Sequence, residues 1–306
     1  MGHYRIFHAE KRGQIGVFTP ELELLLLSLG SAGIVKRAQL AVNGDIGYAM
    51  EIGPYWGIFP GNISREGLLI MDPGSLAILG KFPLFSPFLP RANVGITPES
   101  FFIWREEELL AEIALEDLRV KRNIDIRQWS DGDEVIDLSI SHNARVAALV
   151  TIDLVVAWDL RTNETIYHNE DSMGHLLLNP QGTHLALGDR NGRGAEILDL
   201  KTGIEHDTAW EDGRPTFIEW SLAGDLLTLN GRNSKMYSVW NTQGEEISNY
   251  IFPGSIDSVA WTSNEELALA IVARLPRKDA EPTQWGLQVY FWNVRQGNPP
   301  RLLYPP

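Results

Sequence analysis

The sequence predicts an all-β protein built from a repeated unit of short strands. Short strands dominate the chain, and few windows show the 3.6-residue periodicity of an amphipathic helix. Four segments of the second half also align as one repeat, and they begin at Val135, His175, Phe217 and Ser258. A repeat on this scale is typical of an architecture in which similar units stack on one another.

Each aligned segment has the same order of elements. A strand, a polar turn, a second strand and a loop are followed by a third strand that ends in Trp or Leu and then Asp or Asn. The apolar marker residues at this position are Trp158, Leu198, Trp240 and Trp292. The first two spacings are about 40 residues. The last spacing is longer because the stretch RLPRKDAEPTQWG interrupts its unit.

This pattern resembles the WD-repeat family of β-propellers, whose repeats run roughly 40 to 45 residues and form four strands each. The dipeptides at the marker are Trp158-Asp159, which is the WD pair itself, and the weakened forms Leu198-Asp199, Trp240-Asn241 and Trp292-Asn293. Gly174-His175 matches the family's Gly-His dipeptide, but it lies nearer the following strand than in the family. The resemblance implies a propeller fold. It rests on four marker dipeptides that lie at the same position of the repeat.

The first half fits the same period when the repeat is counted backward from Trp158. Met71-Asp72 lies two repeats earlier, one further unit lies between them, and another step back ends near Gly30. We therefore expect one domain, a single closed β-propeller of seven four-stranded blades. The approximate blade boundaries are 4–30, 34–83, 91–126, 133–171, 174–210, 214–252 and 256–306. The first unit shows three strands, near Tyr4–His8, Gln14–Phe18 and Leu22–Leu29, so ring closure is expected to involve both termini.

Two local patterns bear on the count of strands. The stretch from Arg105 to Arg122 is rich in helix formers, which leaves a helical insertion open. Its apolar residues also alternate as in a strand, and we favour the strand. The strand that follows Val135 alternates Ile136, Leu138 and Ile140 with polar residues. The next strands, VAALV and LVVAW, are apolar on both sides, as expected for a sheet packed between two neighbours.

Composition excludes several classes of function. The 306 residues carry a net charge of −14, and such an acidic surface repels phosphate backbones, so no nucleic-acid partner is expected. The chain has no cysteine, which excludes disulfides and thiolate metal sites. No stretch resembles a signal peptide or is long enough to cross a bilayer. A cytoplasmic location with no membrane association is therefore expected.

No motif indicates catalysis, a metal or a cofactor. The glycine-rich stretch GDRNGRG in LALGDRNGRGAEILDLKTG raises the question of a phosphate-binding loop, but a strand and not a helix follows it. We interpret it as a β-hairpin turn. The histidines lack metal-ligand spacing, and no Ser-His-Asp set can be assembled. Remote residues that converge at the axis of the ring leave a propeller enzyme, a hydrolase or lyase acting at the mouth of the axial channel, as the alternative.

A face of aromatic residues supplies the leading hypothesis. The connections Gly53–Glu66 and Arg274–Gly286 are long, and both are predicted to join a second strand to a third, which places them on one face. The candidate partner-binding residues on that face are Tyr55, Trp56, Phe59, Trp129, Trp210, Arg274, Arg277, Lys278 and Trp285. Aromatic anchors beside positive charge suit a protein or peptide segment with acidic residues. The alternative is that these loops are tolerated insertions whose aromatics fill the loop bases.

These observations predict a non-enzymatic scaffold or adaptor subunit of a larger assembly, which binds another protein or a peptide on the face of the long loops. Long loops in a compact repeat are more often functional than idle.

Overall fold

The computed structural model describes residues 5–9, 14–18, 23–28, 34–39, 46–60, 67–84, 94–106, 109–170, 175–188, 195–208, 215–231, 235–274 and 285–304. In these ranges the strands form seven four-stranded sheets, and within each sheet every strand pairs antiparallel with the next along the chain. We number the strands β1 to β28 in chain order and call the four strands of each sheet its first to fourth strands.

The strand bounds of the first four sheets are as follows. The first sheet holds β1 (Arg5–Ala9), β2 (Gln14–Phe18), β3 (Glu23–Ser28) and β4 (Ile34–Gln39). The second holds β5 (Ile46–Ile52), β6 (Tyr55–Pro60), β7 (Leu68–Met71) and β8 (Ile78–Phe82). The third holds β9 (Val94–Ile96), β10 (Ser100–Glu106), β11 (Leu109–Ala114) and β12 (Val120–Asp125). The fourth holds β13 (Asp137–Ile140), β14 (Val146–Val150), β15 (Val155–Asp159) and β16 (Thr165–Asn169).

The last three sheets repeat this plan. The fifth holds β17 (Leu176–Leu178), β18 (His184–Gly188), β19 (Ala195–Asp199) and β20 (Glu205–Asp207). The sixth holds β21 (Pro215–Trp220), β22 (Leu226–Gly231), β23 (Met236–Asn241) and β24 (Glu246–Ile251). The seventh holds β25 (Ser255–Trp261), β26 (Glu266–Arg274), β27 (Trp285–Asn293) and β28 (Arg301–Tyr304). One short helix, α1 (Arg127–Ser130), lies between the third and fourth sheets.

The sheets are the blades of a β-propeller, with their first strands at the axis. Strand β1 contacts β5 and β25, and β13 contacts β9 and β17, so the first strands of neighbouring sheets meet. The inner strand β14 is buried along its whole length, whereas the fourth strand β16 is largely exposed. This arrangement confirms the predicted all-β propeller with four-stranded blades.

The first sheet corrects one prediction. It has four strands and not three, because β4 pairs with β3 from Glu23↔Gln39 to Leu27↔Ile34. The sequence of β4, IVKRAQ, carries two charged residues, as outer edge strands often do, and so lacks the apolar alternation of an inner strand. No sheet in the described ranges is shared by the two termini. The first and seventh sheets meet by side-chain packing, in which Leu25 and Leu27 cluster with Val289 and Leu303.

The marker Asp or Asn closes the turn between the third and fourth strands. Asp159 Oδ1 accepts hydrogen bonds from the backbone N–H of Arg161 at 2.8 Å and of Thr162 at 3.0 Å. The residue four positions after the marker then has positive φ, 60° at Asn163 and 71° at Gly203. This geometry favours Asn or Gly, because a left-handed backbone is costly for other residues. The Asp or Asn that recurs at the marker position of the sequence repeat is therefore the residue that closes this turn.

The two local interpretations of the sequence also have clear outcomes. The stretch after Arg105 forms strands, since β11 and β12 pair from Leu109↔Asp125 onward, and no helical insertion interrupts the described part of it. The glycine-rich stretch lies between β18 and β19, which pair antiparallel up to Gly188↔Ala195. It is the connection of a β-hairpin, as predicted.

Candidate functional site

A cavity of about 530 Å³ lies on the propeller axis and is lined by residues from all seven sheets. The lining residues cluster at the carboxyl ends of the first strands, so the cavity lies toward the turns between first and second strands. We call it the axial cavity, and we call the side of the propeller that carries these turns the cavity face. One lining residue from each sheet, in order, is Phe7, Ala49, Val94, Ile140, Leu177, Trp220 and Ala260.

Aromatic side chains form part of the cavity wall and are held by contacts within their own sheets and with neighbouring sheets. Phe7 packs edge-on against Trp56, with ring centroids 5.2 Å apart. It also covers Gly16, where a Cβ atom would lie 2.0 Å from the Phe7 ring, so the wall at this point requires glycine. Trp220 donates a hydrogen bond from Nε1 to the carbonyl oxygen of Leu177 at 3.0 Å, which joins the sixth sheet to the fifth. These contacts hold the Phe7 and Trp220 rings in place.

The polar groups of the axial cavity are acidic or neutral. Glu51 from β5, Glu219 from β21 and His142 from the turn after β13 line it. No lysine or arginine is among the lining residues that the structure describes. The two carboxyl-bearing side chains come from the second and sixth sheets, which are not neighbours in chain order. The cavity therefore combines apolar walls with an acidic character.

The rim of the axial cavity is a chain of hydrogen-bonded turns. Asn143 in the fourth sheet donates from Nδ2 to the carbonyl oxygen of Gln181 in the fifth at 3.0 Å. Gln181 in turn donates from Nε2 to the carbonyl oxygen of Leu222 in the sixth at 3.1 Å. On the other side, the backbone N–H of Ile96 donates to the carbonyl oxygen of His142 at 2.7 Å. The turns of the third to sixth sheets are thus linked to one another at the mouth.

Ion pairs extend this linkage across the cavity face. Arg295, in the turn between third and fourth strands of the seventh sheet, lies 2.9 Å from Asp225 of the sixth sheet and 3.3 Å from Glu265. Asp159 occupies the equivalent turn of the fourth sheet. Burial raises the pKa of Asp159, but the backbone N–H groups of its turn and Arg145 outweigh this effect and hold the pKa below its usual range. Arg295 and Asp159 on this face therefore each have a partner of opposite charge.

Two polar side chains join the fourth and fifth sheets beside the axis. Asp137 is fully buried, and its Oδ2 lies 3.2 Å from Nδ1 of His175 and accepts from the backbone N–H of Leu176 at 3.3 Å. Ser139 Oγ accepts from the backbone N–H of Leu178 at 2.9 Å. Asp137 and Ser139 are the polar residues that alternate with apolar ones after Val135, and both therefore face the fifth sheet. A buried polar group of this kind needs such partners.

The structure corrects the placement of three predicted partner-binding residues. Tyr55, Trp56 and Phe59 lie in strand β6 and not in a long loop, because the chain turns within two residues at Gly53-Pro54. Gly53 has a φ of 60°, and this left-handed backbone conformation allows the tight turn. Trp56 and Phe59 are 1% and 0% exposed, so they are core residues. Tyr55 is partly buried against the adjoining core.

The remaining predicted residues have different outcomes. Trp129 is 6% exposed in helix α1, so its placement as an exposed anchor is also wrong. The backbones of Arg274 and Trp285 pair where β26 ends and β27 begins, and the connection between them joins a second strand to a third, as predicted. Trp210, Arg277 and Lys278 lie outside the described residues.

The cavity residues were not predicted, although the repeat contains a signal for them. In five sheets a Ser, Thr or Asn begins the turn after the first strand, and the residue directly before it lines the axial cavity. These cavity residues are Ile96, Ile140, Leu178, Trp220 and Trp261. An alignment on this polar residue, and not on the Trp-Asp marker alone, finds them.

Two kinds of feature are absent from the described residues: a cluster of metal-binding side chains and a membrane-spanning helix. No group of three His, Asp or Glu side chains among them is arranged to hold a metal ion. In the same ranges, no helix has the length and apolar character that spanning a membrane requires.

Comparisons with known proteins agree with the fold. No family model matches the chain, and curated protein sequences give no significant match. Among solved structures, the β-propeller domain of Cps50 (Swd1) from Myceliophteria thermophila has a TM-score of 0.62 at 13% identity, over 89% of this chain and 94% of that one. Hsv2 from Kluyveromyces lactis has a TM-score of 0.59 at 10% identity, over 96% of this chain and 100% of that one. The resemblance to WD-repeat propellers is confirmed at the level of the fold.

Proposed function

We propose that this β-propeller is a non-enzymatic adaptor whose cavity face binds an extended segment of another protein. One side chain of that segment enters the axial cavity. The observation that carries the proposal is the cavity itself, which has aromatic walls and is built from all seven sheets. A concave, largely apolar site with a few polar groups is the usual form of a binding site.

The locked rim supports this role. The turns of the rim are already held by hydrogen bonds, so they lose little conformational entropy when a partner binds. The free-energy cost of binding is smaller for that reason. Leu222 at the mouth is 43% exposed although it is a large apolar residue, and it lines the cavity. An apolar side chain at a cavity mouth is suited to contact with a partner.

The proposal includes one closed ring of seven blades that forms a single domain. Packing between the first and seventh sheets supports closure, because the Leu303 cluster spans both. The opposite face of the propeller carries the connection between Arg274 and Trp285, and its role in binding an acidic segment stays a prediction. The two faces lie on opposite sides of the propeller, and more observations support binding at the cavity face.

Two matched variants test the proposal. Leu222→Arg places a bulky charge at the mouth of the axial cavity, and Ile251→Arg places the same charge on the outer strand β24, where Ile251 is 68% exposed. Proteins that co-purify with each variant from the native cell are identified by mass spectrometry. We expect an interactor that Leu222→Arg loses and Ile251→Arg retains. If both variants retain every interactor, partners do not bind at the cavity face.

The carboxyl groups in the cavity favour the hydrolase or lyase alternative as a second candidate. Glu51, Glu219 and His142 are groups that act in acid–base catalysis when they are held at fixed separations. The two glutamates come from sheets that are not neighbours in chain order, and both line the axial cavity. A screen of generic hydrolase and lyase substrates with the Glu51→Gln/Glu219→Gln variant as control separates the two functions. Turnover that this variant abolishes would establish the enzyme.

A further inference from the structure

We infer that a second cavity, between the sixth and seventh sheets, binds an acidic side chain, aspartate or glutamate, of a protein segment. The cavity has a volume of about 460 Å³ and is lined by residues of both sheets and of the connection that joins them. We call it the interblade cavity. None of its lining residues lines the axial cavity, so the inference does not depend on the proposed function.

The interblade cavity lies toward the opposite face of the propeller. Lys235 directly precedes β23, the third strand of the sixth sheet, and Ala273 is near the end of β26. Pro253 and Gly254 belong to the connection from β24 to β25. A Cβ atom on Gly254 would lie 2.3 Å from the carbonyl oxygen of Val272, so this part of the wall requires glycine. The connection therefore packs directly on β26.

The polar side chains of the interblade cavity offer hydrogen-bond donors. The Tyr290 hydroxyl donates to Oε1 of Gln288 at 3.2 Å, which leaves the Nε2 amide group of Gln288 as a donor. The hydroxyl of Ser255 and the ammonium of Lys235 also line the cavity. Among the described residues, no ion pair involves Lys235. No aspartate or glutamate is among the lining residues that the structure describes.

A carboxylate matches this set of donors in both charge and hydrogen bonding. It accepts hydrogen bonds only, and it carries the charge opposite to that of Lys235. Hydrogen bonds between charged partners are shorter and stronger than those between neutral ones. A carboxamide of the same shape lacks the charge, and a lysine side chain is repelled. Pro253 and Ala273 add apolar wall against which the methylene groups of the acidic side chain can lie.

A protein segment suits the surroundings of the interblade cavity better than a free anion. The connection between Arg274 and Trp285 begins directly after the lining residue Ala273, and its sequence contains Arg277 and Lys278. The sequence analysis predicts that this connection binds an acidic segment. A free anion gains only the contacts inside the cavity, whereas a segment also gains contacts outside it. On a chain with a net charge of −14, a local cation makes such binding selective.

Defined peptides test the inference directly. The probe is an acetylated and amidated pentapeptide, Ala-Ala-Glu-Ala-Ala, compared with the same peptide carrying Asp or Gln at its centre. The intact chain is labelled with ¹⁵N-serine, and the amide resonance of Ser255 is assigned from its absence in Ser255→Ala. We expect the Glu or Asp peptide to shift this resonance saturably and the Gln peptide to bind at least tenfold more weakly.

A charge-matched pair of variants separates the cavity from the net charge. Lys235→Gln and Lys201→Gln each remove one positive charge, and Lys201 is exposed in the turn between β19 and β20 of the fifth sheet. We expect Lys235→Gln to weaken binding of the Glu peptide at least fivefold and Lys201→Gln less than twofold. Circular dichroism is expected to be unchanged in both variants.

A third variant tests whether the chain fills the interblade cavity with its own acidic residues. Asp279 and Glu281 lie in the sequence between Arg274 and Trp285. We expect Asp279→Asn/Glu281→Gln to raise the affinity for the Glu peptide less than threefold. A larger gain would show that these side chains compete for the cavity, and it would overturn the assignment to a partner.

Three further results would overturn the inference: equal affinity for the Glu and Gln peptides, equal effects of the two lysine variants, or no saturable binding of an acidic peptide at millimolar concentration. Each leaves the proposed function separately testable, because Leu222→Arg acts at the axial cavity and not between the sixth and seventh sheets.

Discussion

Trp129 stacks on Trp158, with ring centroids 4.2 Å apart and ring planes inclined by only 14°. Trp129 belongs to helix α1, in the connection between the third and fourth sheets, and Trp158 is the marker residue in β15 of the fourth sheet. Both rings are buried. The stack therefore fastens a connection between blades to the core of the next blade, which makes Trp129 a structural residue.

A double-mutant cycle on this stack is the first prediction. Trp158→Ala and Trp129→Ala are each expected to lower the free energy of unfolding by about 3–5 kcal/mol, because each leaves a large cavity. The double variant is expected to lose about 0.5–1.5 kcal/mol less than the sum of the two, which is the energy of an aromatic pair beyond its buried area. Urea unfolding measures all three values. Strict additivity would show that the rings do not stabilise each other.

Trp56 provides the second prediction, which reverses the expectation for a loop residue. Because Trp56 is 1% exposed and packs against Phe7, Trp56→Ala is expected to cost about 3–5 kcal/mol of stability, as much as Trp158→Ala. Trp56→Phe keeps an aromatic contact and is expected to cost less. Thermal and urea unfolding check both variants. A loss below about 1 kcal/mol for Trp56→Ala would place the side chain at the surface.

The last strand gives the third prediction. Leu303 is 1% exposed in the cluster between the first and seventh sheets, whereas its neighbour Leu302 is 40% exposed. Leu303→Ala is expected to cost about 2–5 kcal/mol and Leu302→Ala about 0.5 kcal/mol or less. Deletion of RLLYPP is expected to destabilise the whole domain through the loss of Leu303. Equal stability of the two point variants would mean that the last strand does not seal the contact between these sheets.

The fourth prediction concerns acid stability. Burial raises the pKa of Asp159 and Asp199. The backbone N–H donors of each turn lower it by a larger amount, so the net pKa lies below the ordinary 3.8. A carboxyl group with a lowered pKa stabilises the fold above its unfolded pKa, and this stabilisation is lost as the pH falls through the folded pKa. Asp159→Asn/Asp199→Asn is expected to lower stability at pH 7 by about 1 kcal/mol per site. It should also flatten the decline between about pH 5 and pH 2.

Asparagine is a suitable replacement because Asn293 already closes the same turn in the seventh sheet, where its Oδ1 accepts from the backbone N–H of Arg295 at 3.2 Å and of Gln296 at 3.1 Å. Asp131→Asn/Asp153→Asn removes two exposed carboxyl groups and serves as the control. Urea unfolding at several pH values compares the two pairs. The same pH dependence in both would show that the marker turns do not carry the acid sensitivity.

Local interactions explain which features could be predicted from the sequence. The strands and the turn at Asp159 depend on residues within four or five positions of each other, such as Asp159 with Thr162 and Asn163. The same holds for the strands of residues 109–125, whose alternation outweighs their helix propensity once they pack between neighbouring strands. The outer strand β4 was missed because an edge strand needs no apolar alternation.

The amino-acid sequence by itself determined the all-β class, the repeat, the phase of the marker turns and the acidic charge, because each depends on short-range order or on composition. Only the tertiary structure decided which side chains meet at the axis. Glu51 and Glu219 lie far apart in the chain, and Asp137 and His175 belong to different blades, yet ring packing brings each pair to one site. It also decided that Trp56 and Trp129 are buried, because burial depends on the blade that packs against a residue and not on the residue's own neighbours in sequence.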